Sequence, residues 1–318
     1  MKIVVIDKPK EIENEIDWSE LYKLGEVREY DDTLQEKVAE TIADAEIVML
    51  NKREITKEVL DKCPNIKFIS VIATGFNKID LVEAKKRGII VSNVPFYGSK
   101  AIGQHAVALL LEITNHVAYH DKEVRKLRRN SDTDWCFWDY PIYEIEYKTV
   151  GIIGLGRIGK TVAKFALAMG AKVVAYDDYQ RDEMKSLGVE YLSFEEVLTT
   201  SDIISLHCPL TENSFEMINE KSISKMKDGV IIINNSRGAL INEGDLARAL
   251  KSGKVGGAGL DVVAKEPISQ DNPLLSAPNC FITPHISWAA LDARRRLIKL
   301  SIENVKAFLD GKPINIVN

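Results

Sequence analysis

Residues 150–177 read VGIIGLGRIGKTVAKFALAMGAKVVAYD, and this stretch decides the fold. Its apolar start, Val150–Ile153, is typical of a buried parallel strand, and a glycine-rich turn follows it. A helix is predicted next, because apolar side chains recur at the spacing of one packed face: Val162, Phe165, Ala166 and Met169. Gly170 is expected to cap that helix, and Lys172–Tyr176 to form a second strand. The stretch therefore predicts a βαβ unit.

The glycines of the turn have separate mechanical roles in a βαβ unit that binds a dinucleotide. Gly154 permits the tight turn, Gly156 lets the backbone approach a pyrophosphate, and Gly159 lets helix and strand pack closely. The helix start offers free N–H groups and the positive end of a dipole to phosphates. Asp177, eighteen residues after Gly159, lies where a carboxylate accepts hydrogen bonds from a ribose. With Asp178 it would repel a 2′-phosphate, so the pattern favours an NAD site over a plain turn, and NAD over NADP.

The composition is that of an ordinary globular protein. A chain of 318 residues is long enough for two domains, and a net charge of -5 gives no reason to expect nucleic acid or an anionic membrane as a partner. The N-terminus has too short an apolar core for a signal peptide. The cysteines have no CxxC spacing: Cys63, Cys136, Cys208 and Cys280. We therefore expect reduced thiols, no metal site and a cytoplasmic location.

The first 98 residues alternate strand-like runs with amphipathic segments, which predicts a parallel sheet covered by helices. The predicted strands are Lys2–Ile6, Glu46–Leu50, Lys67–Ile72 and Ile89–Val91. Ala73–Thr74–Gly75 follows the third of them, where open α/β sheets bind ligands. A plain strand-to-helix turn explains this segment equally well.

A long helix is predicted from Ser99, a candidate N-cap, to about Arg128, with Leu109, Ile113 and Val117 on its apolar face. It leads to Trp135–Tyr143, the densest aromatic cluster of the chain. The cluster either packs on its own domain or is an arm that a partner subunit buries. The arm is favoured, because aromatic anchors dominate interfaces.

The α/β alternation continues after the βαβ unit. Further strands are predicted at 202–206, 230–235, 257–260 and 280–282, and a last helix at 289–308 could cross back to the first domain. Polar residues follow these four strands in turn: His207–Cys208–Pro209, Ser236–Arg237–Gly238, Asp261 and Thr283–Pro284–His285. Because the carboxyl ends of parallel strands share one edge, these residues are expected at the edge where a nicotinamide would lie.

At these strand ends the chain resembles the D-isomer-specific 2-hydroxyacid dehydrogenases over nearly its full length. The matching blocks are Ala73–Gly75, the 154–177 fingerprint, SLHCPLT at 205–211, NNSRGALINEGDLARAL at 234–250, GLDVVAKEP at 259–267 and TPHISWA at 283–289. The resemblance implies two flavodoxin- or Rossmann-like α/β domains with parallel sheets. An NAD-binding domain at 99–290 would be inserted into a substrate domain formed by 1–98 and 291–318. It also implies a cleft between the domains and a homodimer built on the cofactor domain.

The resemblance places the catalytic residues at Arg237, Glu266 and His285. Hydride transfer to the carbonyl carbon of a 2-oxo acid puts negative charge on the carbonyl oxygen, which protonated His285 can neutralise. Glu266 would hold the imidazole and favour its cationic form. Arg237 can bind the substrate carboxylate through its donor fork, which lysine copies poorly. Taken singly, each could be a helix cap, a surface loop or a solvated turn; the set at one edge is what indicates an active site.

The resemblance also assigns binding residues. Arg157 and Ile158 would contact the pyrophosphate, Cys208–Pro209 the adenosine, and Asp261 the nicotinamide carboxamide; Ser214 stands where threonine is usual. The predicted cofactor set is Gly154, Gly156, Arg157, Ile158, Gly159, Asp177, His207, Cys208, Pro209, Ser214, Asn235, Ser236, Arg237 and Asp261. The predicted substrate set is Ala73, Thr74, Gly75, Arg237 and His285.

Shorter sequence blocks indicate which branch of the family the chain resembles. Residues 73–77, Gln104–His105, FWDYP at 137–141 and TPHISW resemble the glycerate dehydrogenase and hydroxypyruvate reductase branch, although many members have glutamate at Gln104. Reduction of hydroxypyruvate or glyoxylate is therefore favoured. The alternatives are a D-lactate-like or 2-ketogluconate-like specificity, or an NADH-sensing corepressor-like binding protein. The corepressors carry additional flexible segments, which are not expected here.

Overall fold

The computed structural model describes residues 1–8, 15–126 and 136–318. It divides the chain into two compact units. The first unit consists of Met1–Gly98 together with Ala289–Asn318, and the second of Ser99–Trp288. Within the described residues, no helix combines the length and the apolar character that a membrane span requires.

The first unit is built on a parallel sheet of five strands in the order β2-β1-β3-β4-β5. Its strands are β1 (Lys2–Val5), β2 (Glu26–Glu29), β3 (Ile47–Leu50), β4 (Phe68–Val71) and β5 (Ile90–Ser92). Its helices before residue 98 are α1 (Ser19–Tyr22), α2 (Val38–Ile42, after a 3-10 turn at Gln35–Lys37), α3 (Lys57–Lys62) and α4 (Leu81–Lys86). The four predicted strands are confirmed. The sequence pattern missed β2, since this edge strand is polar and short.

The second unit opens with two helices, α5 (Ser99–Asn115) and α6 (Val117–Arg125). The prediction of one continuous helix is wrong: His116 adopts a left-handed conformation, with φ 51° and ψ 41°, that breaks it. Val117, predicted on the packed face, is 64% exposed. The predicted end near Arg128, and Trp135 of the aromatic cluster, lie outside the described residues.

A parallel sheet of seven described strands follows, in the order β12-β11-β10-β9-β6-β7-β8. The strands are β6 (Thr149–Ile153), β7 (Lys172–Tyr176), β8 (Glu190–Tyr191), β9 (Ile203–Leu206), β10 (Val230–Asn234), β11 (Val255–Leu260) and β12 (Cys280–Ile282). The helices are α7 (Arg157–Ala168), α8 (Asp182–Ser186), α9 (Phe194–Thr200), α10 (Glu220–Lys225) and α11 (Glu243–Ser252), with 3-10 turns at Gly238–Leu240 and Pro273–Ser276. The predicted doubly wound α/β fold is confirmed. Strand order reverses beside β6, and open α/β sheets bind ligands at such a point.

Buried side chains cover both faces of this sheet, as expected for parallel strands between two layers of helices. Val162 and Ala166 of α7 are buried as predicted. Met169 is 45% exposed, so its place on the packed face is wrong. The helix has already ended there, and Gly170, with φ 80°, turns the chain away.

The last helix, α12 (Leu291–Leu309), belongs to the first unit and packs on β4, where Phe308 stacks on Phe68 with ring centroids 4.6 Å apart. The chain then runs along the edge strand β5. Ile316 pairs antiparallel with Ser92, and the Val317 N–H donates to the Val91 carbonyl at 2.9 Å. The C-terminal segment therefore covers an edge that would otherwise present unpaired backbone groups.

Candidate active site

The glycine turn after β6 has the geometry that its sequence predicts. Gly154 has φ 92°, and a Cβ there would lie 2.6 Å from the Cys208 nitrogen at the end of the neighbouring strand. A Cβ on Gly159 would lie 2.2 Å from the Gly154 carbonyl oxygen, so only glycine allows α7 to pack this closely on β6. At Gly156 nothing lies within 4 Å of the Cβ position. The protein itself therefore does not require glycine at 156, whereas a group approaching the backbone would.

Asp177 lies directly after β7, as predicted, and its carboxylate is held in place by the backbone. Oδ2 accepts the Leu155 N–H at 2.6 Å, inside the glycine turn, and Oδ1 accepts the Tyr179 N–H at 2.8 Å. Each carboxylate oxygen has a second lone pair. The arrangement thus fixes the carboxylate beside the glycine turn and leaves acceptor capacity for ribose hydroxyls.

His207 and Cys208 follow β9 and are neutral groups in this environment. Burial lowers the pKa of His207 to about 3, and its Nε2 shares a 2.8 Å hydrogen bond with the Ser205 hydroxyl. Burial likewise raises the pKa of the Cys208 thiol to about 11. Two uncharged side chains next to the glycine turn provide an apolar surface that suits an adenosine moiety rather than a catalytic nucleophile. The hydroxyl of Ser214 closes the adjoining loop by donating to the Pro209 carbonyl at 2.8 Å.

The turn after β10 positions Arg237. Asn234 accepts the Ser236 N–H at 3.0 Å and donates to the Arg237 carbonyl at 2.9 Å, so one buried amide holds both peptide groups. The Ser236 hydroxyl donates to the Cys208 carbonyl at 3.0 Å, which ties this turn to the end of β9. The guanidinium of Arg237 is exposed, and among the described residues its one hydrogen bond is that to the Ser236 carbonyl, at 2.8 Å. Most of its donor fork is available to a ligand.

The Asn235 side-chain amide donates to the Ile102 carbonyl, in α5, at 2.7 Å. Its Oδ1 is buried and has no partner among the described residues. A buried acceptor without a donor is costly in a folded protein. It is compatible with the predicted cofactor role, since a bound ligand could supply the donor.

Asp261, after β11, is fully buried, and its carboxylate accepts hydrogen bonds from three groups of the turn that follows β12. Its Oδ1 accepts the Thr283 hydroxyl at 2.5 Å and the Ile286 N–H at 2.8 Å, and Oδ2 accepts the Ser287 N–H at 2.8 Å. The His105 Nε2 lies 3.0 Å from the Thr283 hydroxyl. The Asp261 carboxylate thus holds the turn that carries residue 285 from the inside.

His285 and Glu266 form the pair that the sequence predicted. His285 Nδ1 donates to Glu266 Oε2 at 2.8 Å, and Glu266 Oε1 accepts the Val263 N–H at 3.3 Å. Both side chains are exposed, and Nε2 of the imidazole has no hydrogen-bond partner among the described residues. His285 has φ 55°, a conformation that costs energy for a non-glycine residue and that clusters at functional sites.

Arg237 and His285 belong to the same edge of the second unit. They follow β10 and β12, which flank β11, so two strand spacings, on the order of 10 Å, separate the strand ends. Arginine and histidine side chains extend from their strand ends, so both can reach one small molecule held between them. The edge brings together Arg237, the Glu266–His285 pair and the glycine turn.

The predicted substrate loop, Ala73–Thr74–Gly75, follows β4 in the first unit. The Thr74 hydroxyl donates to the Val94 carbonyl at 2.9 Å, and the Asn93 amide donates to the Thr74 carbonyl at 2.7 Å. Asn93 is held in turn: the Asn304 amide donates to its carbonyl at 2.8 Å, and the Asn315 amide donates to Asn304 Oδ1 at 2.8 Å. We call these three side chains the asparagine relay; they fix the loop from α12 and the C-terminal segment.

The described part of the aromatic cluster, residues 136–143, forms no regular element. It packs on its own unit through Tyr140, whose ring lies 4.8 Å from Tyr119 and 4.9 Å from His116. Trp138 is nonetheless 64% exposed, and Ile142 and other neighbours are more than 40% exposed. The segment therefore both rests on its own helices and presents an apolar surface.

Sequence patterns missed Asn234 and Ser205. Each makes a side-chain hydrogen bond that holds a predicted site residue, and each lies in a strand whose other residues are apolar. The available signal was a polar side chain at the carboxyl end of a buried strand, where a hydrogen-bond partner is obligatory.

Comparisons with known proteins agree with this geometry. The model of the family described as D-isomer specific 2-hydroxyacid dehydrogenase, NAD binding domain, matches residues 107–287. The chain is 50% identical to a hydroxypyruvate reductase of Blautia hydrogenotrophica over all of both chains, and 40% identical to a glycerate dehydrogenase of Methylorubrum extorquens over 92% of each. Its structure is similar to that of D-lactate dehydrogenase from Aquifex aeolicus in complex with NAD and lactic acid, with 31% identity, a TM-score of 0.83, and coverage of 100% of this chain and 99% of that one.

Proposed function

The chain belongs to the D-isomer specific 2-hydroxyacid dehydrogenase family, and we propose that it reduces hydroxypyruvate or glyoxylate with NADH, giving D-glycerate or glycolate. The observation that carries the proposal is the 2.8 Å pair between Glu266 and His285 at the strand edge that also bears Arg237. The choice of substrate is supported by the full-length similarity to a hydroxypyruvate reductase.

NAD is the cofactor of this family domain, and the residues of the second unit fit it. The open space at Gly156 suits a pyrophosphate, Asp177 suits a ribose diol, and the orphaned Oδ1 of Asn235 suits a donor such as a carboxamide. We assign cofactor binding to the predicted domain at 99–290 and to the predicted set of fourteen residues within it. Bound NADH supplies the hydride; the protein supplies position and the proton.

His285 is proposed as the proton donor. Because Nδ1 is engaged with Glu266, the proton available to a substrate is the one on Nε2. The Glu266 carboxylate stabilises the imidazolium before transfer and holds the ring in one orientation afterwards. In the oxidation direction, neutral His285 accepts the proton of the substrate hydroxyl at the same atom.

Arg237 is proposed to bind the substrate carboxylate and to polarise the carbonyl. A guanidinium presents two parallel donors that match a carboxylate, and the structure leaves most of this fork unengaged. We assign a second set of carboxylate donors to the backbone N–H groups of Ala73, Thr74 and Gly75 in the first unit, the proposed substrate domain. That loop is immobilised by internal hydrogen bonds, which suits a fixed set of donors.

The test is a substrate panel with the purified protein at fixed NADH and, separately, NADPH. We expect hydroxypyruvate and glyoxylate to oxidise NADH faster than pyruvate, phosphohydroxypyruvate or 2-ketogluconate. If no 2-oxo acid in the panel oxidises either cofactor, the proposed function is wrong.

Cofactor binding is tested separately by a pair of glycine variants. Gly156→Ala places a methyl where nothing in the protein lies within 4 Å, so the melting temperature should hold while the NADH Kd rises about tenfold, equal to about 1.4 kcal/mol. Gly244→Ala, in the first turn of α11, adds the same methyl in ordinary contact and should leave NADH binding unchanged. Equal Kd values for both variants, measured by NADH fluorescence, would show that the pyrophosphate does not approach Gly156.

A homodimer and a cytoplasmic location belong to the same proposal. The apolar surface of Trp138 and Ile142 supports a subunit contact of the second unit. Light scattering should give twice the monomer mass of 35.6 kDa. Replacing Trp138 with Ser should shift the distribution towards monomer, and an unchanged dimer would place the contact elsewhere.

A further inference from the structure

Glu266 lies on an irregular segment, and its position therefore depends on what holds that segment. Residues 261–272 connect the end of β11 to the 3-10 turn at Pro273–Ser276; Glu266 lies in the segment 264–272, of which residues 264–267 are exposed. Glu266 itself makes two hydrogen bonds, to the His285 imidazole and to the Val263 N–H. Neither hydrogen bond explains why the whole segment stays beside His285.

The carboxylate of Glu243 bridges the two ends of the segment 264–272. Oε1 of Glu243 accepts the Ala264 N–H at 2.7 Å, and its Oε2 accepts the Asn272 side-chain amide at 2.8 Å. Ala264 lies two residues before Glu266, and Asn272 lies immediately before the 3-10 turn. Glu243 is the first residue of α11, an element of the rigid sheet-and-helix body.

The orientation of both partners is determined independently. The Oδ1 of Asn272 accepts the Leu274 N–H at 3.0 Å, so its NH₂ group must be the part that faces Glu243. On the other side, Gly238 packs so closely that a Cβ there would lie 1.9 Å from the Val263 carbonyl carbon. The segment therefore packs against Gly238 and is hydrogen-bonded to Glu243.

Glu243 has only neutral donors as partners among the described residues. It forms no ion pair within the described residues, although a carboxylate in the first turn of a helix is favoured by the helix dipole. Two neutral N–H donors satisfy it, one at each end of the same segment. Its contacts are those of a brace for residues 264–272.

We propose that Glu243 is a positioning residue for the reaction: it braces the segment 264–272 so that Glu266 stays bonded to His285 Nδ1. The proposal rests on the proposed function only for its effect on catalysis. Its structural part, the brace, is measurable without any substrate.

The test variant is Glu243→Gln. Both partners of Glu243 are donors, so a glutamine NH₂ necessarily meets one of them donor to donor and one bond of the brace is lost. The control is Glu220→Gln, which removes the same charge from the first residue of α10, also after an asparagine N-cap, where the side chain is exposed. Effects of charge on a helix start therefore cancel between the two variants.

The rescue variant exchanges the carboxylate and the amide between positions 243 and 272. In Glu243→Gln combined with Asn272→Asp, the new aspartate can accept from the glutamine NH₂ and from the Leu274 N–H, which restores the bridge. Asn272→Asp alone sets two carboxylates against each other and should be worse than the double variant. Such a sign change in a double-mutant cycle reports direct coupling between the two positions.

The first readout is amide hydrogen exchange across residues 262–275. Glu243→Gln should speed exchange about tenfold, as expected for the loss of one hydrogen bond of about 1.4 kcal/mol, while Glu220→Gln and the rescued pair should match the parent protein. Unchanged exchange in Glu243→Gln overturns the proposal, whatever the substrate proves to be.

The second readout is the split between kcat and KM in reduction. If Glu266 is displaced, His285 loses the group that orients its imidazole, so kcat should fall about tenfold while KM for the 2-oxo acid and the NADH Kd stay unchanged. Faster exchange with an unaltered kcat would also overturn the proposal, since the brace would then not reach the active pair. If the parent protein turns over no 2-oxo acid, the proposed function fails and hydrogen exchange alone decides on the brace.

Discussion

The two sheets of this protein have the same parallel architecture, yet their carboxyl edges differ in how their polar groups are used. In the first unit the polar side chains at this edge form hydrogen bonds with other groups of the same unit. Asp7, after β1, accepts the Asn51 and Arg53 N–H groups, and the asparagine relay closes on the loop at residues 73–75. In the second unit Arg237, Glu266 and His285 stay exposed, while buried neighbours hold the turns that carry them.

The contrast shows that a position at the carboxyl edge of a parallel sheet does not by itself identify a reactive residue. Unused hydrogen-bonding capacity does. Asp7 and Asp261 follow strands as His285 does, but both are buried and accept hydrogen bonds from several groups of their own unit, so each holds a loop in place. The groups left with free donors or acceptors are those to which we assign chemistry.

The largest effect is expected from His285→Ala, which removes the free Nε2 of the reactive edge. General acid catalysis is worth about 10²–10⁴-fold, so kcat should fall by that factor. NADH binding, followed by fluorescence titration, should be nearly unchanged, because the turn is held by Asp261 rather than by the imidazole. Loss of NADH binding in step with kcat would mean that His285 is part of the scaffold.

Arg237→Lys should have the next largest effect. Lysine keeps the charge but offers no planar fork, so kcat/KM should fall about 10- to 100-fold, in line with about 1.5–3 kcal/mol for hydrogen bonds to a charged group. The loss should appear mainly in KM for the 2-oxo acid. A variant with parental KM would show that the substrate carboxylate binds elsewhere, for instance at residues 73–75.

Asp177→Ala tests the carboxylate that lies beside the glycine turn. The variant loses the acceptor proposed for the adenosine ribose, so the NADH Kd should rise about tenfold, close to 1.4 kcal/mol, while that of NADPH rises less or falls. Titrating both cofactors against the parent protein measures the ratio. Equal weakening of both would indicate only that the glycine turn has loosened, because the Leu155 N–H has lost its acceptor.

The smallest effect is expected in the first unit, from Asp7→Asn, and it concerns stability. Burial is the main cause that raises the pKa of Asp7 above 3.8, against the pull of the backbone N–H groups of residues 51–53. The folded state therefore holds this proton more tightly than the unfolded state, and the parent protein should lose stability as pH rises from 3.8 through the raised pKa. Thermal midpoints across this range should show that slope in the parent and not in Asp7→Asn.

Asp17 is the matched contrast for this measurement. The Ser19 N–H lowers the pKa of this exposed carboxyl, so its contribution to stability should be lost as pH falls below 3.8. Asp17→Asn should therefore change the pH dependence in the opposite direction. Parallel slopes for the two variants would contradict the assigned causes.

Sequence patterns predicted the parts of the fold in which local and tertiary forces agree. The bounds of β7 and β12 are those of the pattern. In β7 the apolar run is buried between two helix layers, which favours a strand at that place. β2 was missed because an edge strand needs no apolar face, and the break at His116 was missed because a non-glycine residue rarely adopts positive φ.

The residues of the candidate site also divide into those that the sequence predicts and those that it does not. The glycine turn and Asp177 follow from spacing within 28 residues, and the types of Arg237, Glu266 and His285 follow from the family resemblance. No spacing could show that Glu243 meets Ala264 and Asn272, since those contacts exist only after the sheet has formed. Residues that hold the reactive ones are therefore where structure adds most to sequence.

The strand-like C-terminal segment has a practical consequence. Asn315 anchors the relay that ends at Thr74, and Asn318 bonds to both Ile89 and Val91 at the margin of the sheet. A purification tag fused there, or a shortened version ending before Ile314, would disturb the loop at residues 73–75 and would also leave the backbone groups of the edge strand β5 unpaired. Affinity handles for this protein belong at its amino terminus.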